Sequence, residues 1–427
     1  CNADTVTVNN DAVVLTQGDG AQGILAQSIG GGGGTGGSVE QATIAIGGGT
    51  LTSVLEQINA AKLLGTEVFV EATGGHGDTV TINNSVNGHI VTKGNKASAI
   101  LAQSVGGGGG VGGNASGTIS IGGFGSAAGN GKDVVLDNKG TLETYGKNSS
   151  ALVAQSIGGG GGEGGSSDGG VDMKDNTATV KEALVAIGGN GAHAGNAGRV
   201  TIVNAAELIY TEQENSKGIL AQSIGGGGGQ GGSSNGIDIA GTMGGATDTV
   251  KEKLGSLGLG SGATASVISA MTSVTGLVQT AQNVISSPLQ SYFNSLKGKI
   301  AGGDASSVIV KNTDKDSRIV TKGNGADAIV AQSIGGGGGT SGSASGILVA
   351  GAAQGAQGNA GTVHVENNGW LITEGEHAAA IVAQSIGGGG GLSSGLDQTA
   401  VYTELGASGA SGLGDTVSVN NAGTILT

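Results

Sequence analysis

Along most of the chain, apolar and polar residues alternate with period two in short segments of the form Val-x-[Val/Ile/Leu]-x-Asn. The segments are Val6 to Asn10, Val80 to Asn84, Val134 to Asn138, Val200 to Asn204, Val308 to Asn312, Val363 to Asn367 and Val417 to Asn421. Such alternation, rich in β-branched residues, predicts strands buried on one face. The closing Asn predicts a turn, through side-chain bonds to nearby backbone and tolerance of left-handed dihedrals. A second strand follows in each case, as at Val13 to Thr16, Ile90 to Thr92 and Leu371 to Thr373, and then a turn such as Gly18-Asp19-Gly20 or Gly94-Asn95-Lys96. The third strand of the first unit is Ile24 to Ile29, and a fourth is predicted at Thr43 to Ile46, Thr118 to Ile121 and Leu184 to Ile187.

Between the third and fourth strands lies the run that fixes the spacing of everything else. AQSIGGGGG begins at Ala26 and recurs five more times with one Ile-to-Val change. Its landmarks are Gln27 and Gly30, Gln103 and Gly106, Gln155 and Gly158, Gln222 and Gly225, Gln332 and Gly335, and Gln384 and Gly387. Each copy carries the same five glycines, whereas a flexible Gly/Ser linker tolerates any length. The glycines therefore occupy a repeated, defined conformation. Without Cβ atoms, extended glycine segments approach one another closely and bond on several sides in a polyproline-II-like layer, which predicts that Gly108→Val clashes like any other substitution in the run. The alternative is a set of exposed glycine loops.

The equivalent glutamines are 52 residues apart at their closest, more than the ~20–45 residues of one solenoid repeat. Two coils per unit are expected, the alternative being one large coil with its glycines folded out. The expected fold class is all-β, a right-handed parallel β-helix (β-solenoid) with stacked pentaglycine segments and small α-helical insertions. It forms one array over residues 1–427, with a partial unit at 415–427. Apolar residues change to helical spacing in two inserts, 50–65 and 247–300. The second reads as a helical hairpin, with Ser287 capping a helix whose first residue is Pro288. Tyr292 and Phe293 on this helix form a candidate partner surface.

Composition narrows the function. Ninety-four glycines, one proline and 2% aromatic residues exclude both a bulky aromatic core and collagen, which needs a Gly-X-Y period and proline. The 37% hydrophobic content, regularly placed, argues against disorder. A net charge of −14 disfavours nucleic acid as a partner. No apolar run is long enough to span a membrane, and the single Cys1 cannot form an internal disulfide.

Catalytic and cofactor chemistry find no constellation. The histidines His76, His89, His193, His364 and His377 occupy different repeat positions, without His-x-x-x-His or Cys-x-x-Cys spacing for a metal. No glycine run is followed by the Lys-Ser/Thr of a phosphate-binding loop. Gly74 to Asp78 lacks the spacing of calcium-binding glycine repeats. The Gln and Ser of each motif are read as amides and hydroxyls satisfying one another inside the array, with a repeated ligand groove as the alternative. The expectation is no enzyme, no cofactor and no metal.

Alternating Val and Asn, the two turns and AQSIGGGGG, as they stand together in Val363 to Gly391, resemble the repeat region of large autotransporter-type surface proteins of Gram-negative bacteria. The resemblance covers six units and part of a seventh, and departs from the family in the lack of a C-terminal membrane barrel. It implies a parallel β-helix passenger at the outer cell surface or outside the cell, acting as a stalk or filament in adhesion or biofilm matrix. Partners would be cell or abiotic surfaces and the chain itself, by head-to-tail contact or as part of a longer passenger. The rival reading is a carbohydrate-binding or carbohydrate-cleaving β-helix.

Overall fold

The computed structural model describes residues 1–47, 73–168, 170–172, 179–181, 185–189, 191–235, 302–340, 342–345, 348–350, 357–390, 402–404 and 412–427. Among these, secondary structure is entirely β. Both expected helical inserts, 50–65 and 247–300, with Tyr292 and Phe293, lie outside the described residues.

The first unit supplies β1 (Val6–Asn10), β2 (Val13–Thr16), β3 (Ile24–Ile29) and β4 (Val39–Ile46). Each founds a separate sheet, and each later unit adds its corresponding strand in parallel. The first and second sheets have seven strands each, in unit order, and the third has six. Register follows the sequence repeat residue by residue: Val80 pairs with Val134, Ile82 with Leu136 and Asn84 with Asn138, and Gln103 pairs with Gln155. A shift by one residue would turn every buried aliphatic outward, so the period-two pattern holds all units in one register.

The core runs lengthwise between the first three sheets. In unit three it holds Val134 and Leu136, Leu142, and Leu152 with Ala154, all fully buried. Each aliphatic of this kind stabilises by roughly 1.5–3 kcal/mol relative to exposure. The space accepts Val, Ile, Leu and Ala, which is why aromatics are nearly absent from the composition.

The strand-ending Asn does more than turn the chain. Asn84, Asn138, Asn204, Asn312 and Asn367 are buried, and each donates its Nδ2 to the Oδ1 of the next unit's Asn at 2.7–2.9 Å. In a low-dielectric interior these amides satisfy one another. Left-handed dihedrals occur not here but at the second turn, at Gly20, Lys96, Asn148, Asn215, Gly325 and His377, which share one repeat position. That turn is fastened from within: Thr16, Thr92, Thr211 and Thr373 donate their hydroxyls to the carbonyl five residues on.

The expectation of two coils stacked within each unit does not hold. Stacked coils would place two strands of one unit side by side in a sheet, and no described unit does this in the first three sheets. One unit contributes one layer, its second half lying in the fourth sheet. Among the described residues the first three sheets are uninterrupted, whereas the fourth is not. In unit three, Ser167–Asp168 and Val185–Ile187 pair with successive parts of Ala115–Ile121. Between them, Gly170–Asp172 and Thr179–Lys181 form an antiparallel pair outside the stack. Val185–Ile187 in turn pairs with Leu348–Ala350 of unit five.

Candidate functional site

The recurrent motif is the candidate site, and its residues divide by the direction they face. In Ile100–Val105, Ile100, Ala102 and Ser104 are buried, while Leu101, Gln103 and Val105 are partly exposed. The glutamines therefore form a ladder on the outer face of the third sheet, not inside it as expected. Gln27, Gln103, Gln155, Gln222 and Gln332 each donate Nε2 to the Oε1 of the next unit's Gln at 2.6–2.7 Å. One donor and one acceptor of each amide are committed along the ladder.

The serine faces inward and fastens one unit to the next. The Ser28 hydroxyl accepts the Asp78 N–H at 2.8 Å, and Ser104 accepts that of Lys132 at 2.8 Å. Ser156, Ser223, Ser333 and Ser385 repeat the contact with Gly198, Ser306, Gly361 and Asp415. The segment entering each new first-sheet strand is thus held by the motif of the preceding unit.

The glycines after it bond in a rhythm of three. Counting Gly106 as position one, positions one, four, seven and ten donate along the stack: Gly106 to Ile157 O, Gly109 to Gly160 O, Gly112 to Glu163 O and Ala115 to Ser166 O, at 2.8–2.9 Å. Positions two, five and eight face sideways to the return segment that leads to the next unit. Gly107 N–H donates to Gly75 O and Gly107 O accepts from Gly129, while Gly110 accepts from Ser126 and Gly113 from Gly123. Positions three, six and nine, Gly108, Val111 and Asn114, are exposed. Three residues per turn is the period of the polyproline-II helix. The segment follows that period, sharing bonds with its stacked neighbours and with the return segment.

One line of bonds crosses the array through both kinds of segment. It runs Gly31, Gly75, Gly107, Gly129, Gly159, Gly195, Gly226, Gly303, Gly336, Gly358, Gly388 and Gly412, each N–H donating to the preceding residue's carbonyl, at 2.7–3.0 Å except for 3.3 Å at Gly412. Approach is so close that an added Cβ has nowhere to go. It would lie 1.9 Å from Gly129 O at Gly106, 2.0 Å from Gly31 O at Gly107 and 2.1 Å from Ser126 O at Gly109. Gly30, Gly158, Gly225, Gly335 and Gly387 would meet backbone oxygen at 1.8–2.1 Å.

The third glycine is the exception and corrects the expectation for Gly108. An added Cβ at Gly32, Gly108, Gly160, Gly227 or Gly389 would meet nothing within 4 Å. The same threefold rhythm explains the sixth position, which holds Thr35, Val111, Glu163, Gln230 and Thr340 on the outside, and the buried small residues beyond it.

Elsewhere the second sheet carries an aromatic and charged patch. His89 Nε2 lies 2.8 Å from Glu143 Oε1, the Tyr145 hydroxyl donates to Glu143, and the Tyr145 and Tyr210 ring centroids are 5.7 Å apart, tilted by 50°. Burial pushes the Glu143 carboxyl up, but the Tyr145 hydroxyl and His89 outweigh it and hold it below its ordinary value. The bond to Glu143, followed by burial, pushes the Tyr145 phenol up to about 12. Among the described residues no three His, Cys, Asp or Glu side chains form a metal-binding group, and no helix is long and apolar enough to cross a membrane.

No family model, no curated protein and no solved structure matches the chain.

Proposed function

We propose that the chain is a right-handed parallel β-solenoid acting as an extracellular structural or adhesive rod, a stalk or filament at the surface of a Gram-negative bacterium. The observation that carries this reading is the unbroken, in-register pairing of every described unit with its neighbours in the first three sheets. Repetition is the mechanism: each unit buries its neighbour's aliphatic face and completes its neighbour's Asn, Gln and Gly ladders. Stability in such arrays is approximately a sum of nearest-neighbour terms, so length can grow without a larger core. The resemblance to autotransporter-type passengers supports the cellular setting, and the insertions confined to the fourth sheet are consistent with a stack that carries appendages without interruption.

Strands Val6–Asn10 and Val417–Asn421 each pair on one side within this chain. Unpaired strand edges are templates for further pairing, and in this reading further units, from the same array or another copy, continue the ladders there. Electron microscopy of the purified chain tests the proposal. Straight rods, alone or joined into filaments, support it, and compact globular particles would refute it. Protease accessibility of the chain on intact Gram-negative cells, compared with lysed cells, tests the location.

A further inference from the structure

We propose that the outer face of the second sheet, centred on Tyr145 and Tyr210, binds a neutral polysaccharide. In the first three sheets the columns that hold the array together repeat from unit to unit: Asn stacks on Asn, Gln on Gln and Ser on Ser. The outward positions of the first and second sheets do not, and in the second they bring aromatic and charged residues together. Thr141 stands beside His89, Glu143 beside Tyr210, and Arg318 beside Trp370. Packing leaves these positions free to vary, so their chemistry is not explained by the architecture.

That chemistry is concentrated. Tyr145 and Tyr210 are half-buried neighbours on this face, and Trp370 is 42% exposed on the same face two units beyond Tyr210. The phenols are tethered, Tyr145 to Glu143 and Tyr210 to Glu212 at 3.4 Å, while His89 braces Glu143 from the other side. Rings held in this way lose little further entropy on binding. The carboxylates around them are acceptors for hydroxyl donors. Aromatic faces beside hydroxyl-accepting carboxylates match a pyranose ring, whose C–H face is apolar and whose edge is rich in hydroxyls. A sheet surface suits a polymer lying across it better than an enclosed small molecule. The net charge of −14 opposes anionic polymers, and apolar ring faces beside hydroxyl acceptors suit a neutral chain. This inference does not depend on the rod-like reading, since binding is measurable whatever shape micrographs show.

Affinity electrophoresis of the full chain through gels containing mannan, laminarin or hydroxyethylcellulose is the test, with polygalacturonate as the anionic control. At least one neutral polymer is expected to retard the protein. The Tyr145→Ala/Tyr210→Ala variant should weaken that interaction by about tenfold or more, with its melting temperature measured alongside. Tyr145→Phe/Tyr210→Phe keeps the ring faces and should bind within about threefold of the parent chain, so it tests the proposal even where the alanine variant folds poorly. Absence of retardation by all three neutral polymers, retardation by polygalacturonate alone, or undiminished binding by a folded alanine variant would overturn the proposal.

Discussion

The aliphatic lobe and the glycine layer stack in the same order, one layer per unit, yet hold together by opposite means. Between the first three sheets, side chains fill the space, and Ile202 and Leu136 are fully buried among other aliphatics. In the glycine layer, side chains are excluded so that backbones can touch, with Gly107 and Gly129 bonded directly at 2.8 Å. A core made of side chains adjusts through rotamers and loses stability by degrees. A layer made of backbone has no rotamers to move and should fail abruptly.

The sharpest way to break this comparison lies within a single run. Gly107→Val drives a side chain into Gly31 O and is expected to exceed the ~4–5 kcal/mol that marks exceptional substitutions, seen as loss of the cooperative thermal transition. Gly108→Val, one residue on, points into open space and should change stability by no more than about 0.5 kcal/mol. Equal melting temperatures for the two variants would remove the distinction between packed and open glycines.

Next in size is the aliphatic lobe, where Ile202→Ala should cost about 2–5 kcal/mol in chemical denaturation. Asn204→Ala should cost a comparable amount, because it leaves Asn138 without its acceptor and Asn312 without its donor. Each stranded buried group costs about 1–3 kcal/mol. Gln222→Ala breaks a ladder of the same form on the partly exposed face, where water replaces the lost partner, and should cost less than about 1 kcal/mol. An equal loss for Asn204→Ala and Gln222→Ala would show that burial does not set the difference.

The smallest effect concerns pH. The Tyr145 phenol is raised from its ordinary 10.0 to about 12, so the folded state favours the protonated phenol. Its contribution to stability is complete below about pH 10 and is lost as pH rises through about 12. The melting-temperature difference between the parent chain and Tyr145→Phe should therefore be constant from neutral pH to pH 10 and change above it, by an amount limited by the phenol's exposure, with a separate change in acid where Glu143 loses its charge.

Much of this was legible because strand periodicity is a local property. The first three strands of each unit fall where alternation puts them, the fourth starts earlier, at Val39 and Ala115, and the constant glycine count points to a packed layer over exposed loops. The inward Asn reads in sequence only as a turn residue, since one amide at a strand end looks the same whether it caps a turn or stacks on six equivalents. The repetition of the Gln signals a ladder but not the side on which the ladder lies, so the sequence does not mark its outward face. The candidate patch at Tyr145 and Tyr210 had no signal, since the tyrosines are 65 residues apart (210 − 145) and occupy different repeat positions.

The sequence by itself determined that the units are alike, that strands alternate in and out, and that the five glycines share one conformation, because each depends on residue type and spacing within a unit. Only the tertiary structure decided that each unit makes one layer, not two, and that the third glycine of each run faces outward. Those outcomes depend on which backbone groups of different units meet. The threefold turn of the glycine helix puts positions one and two against neighbours and position three against solvent, and five identical residues carry no mark of that difference.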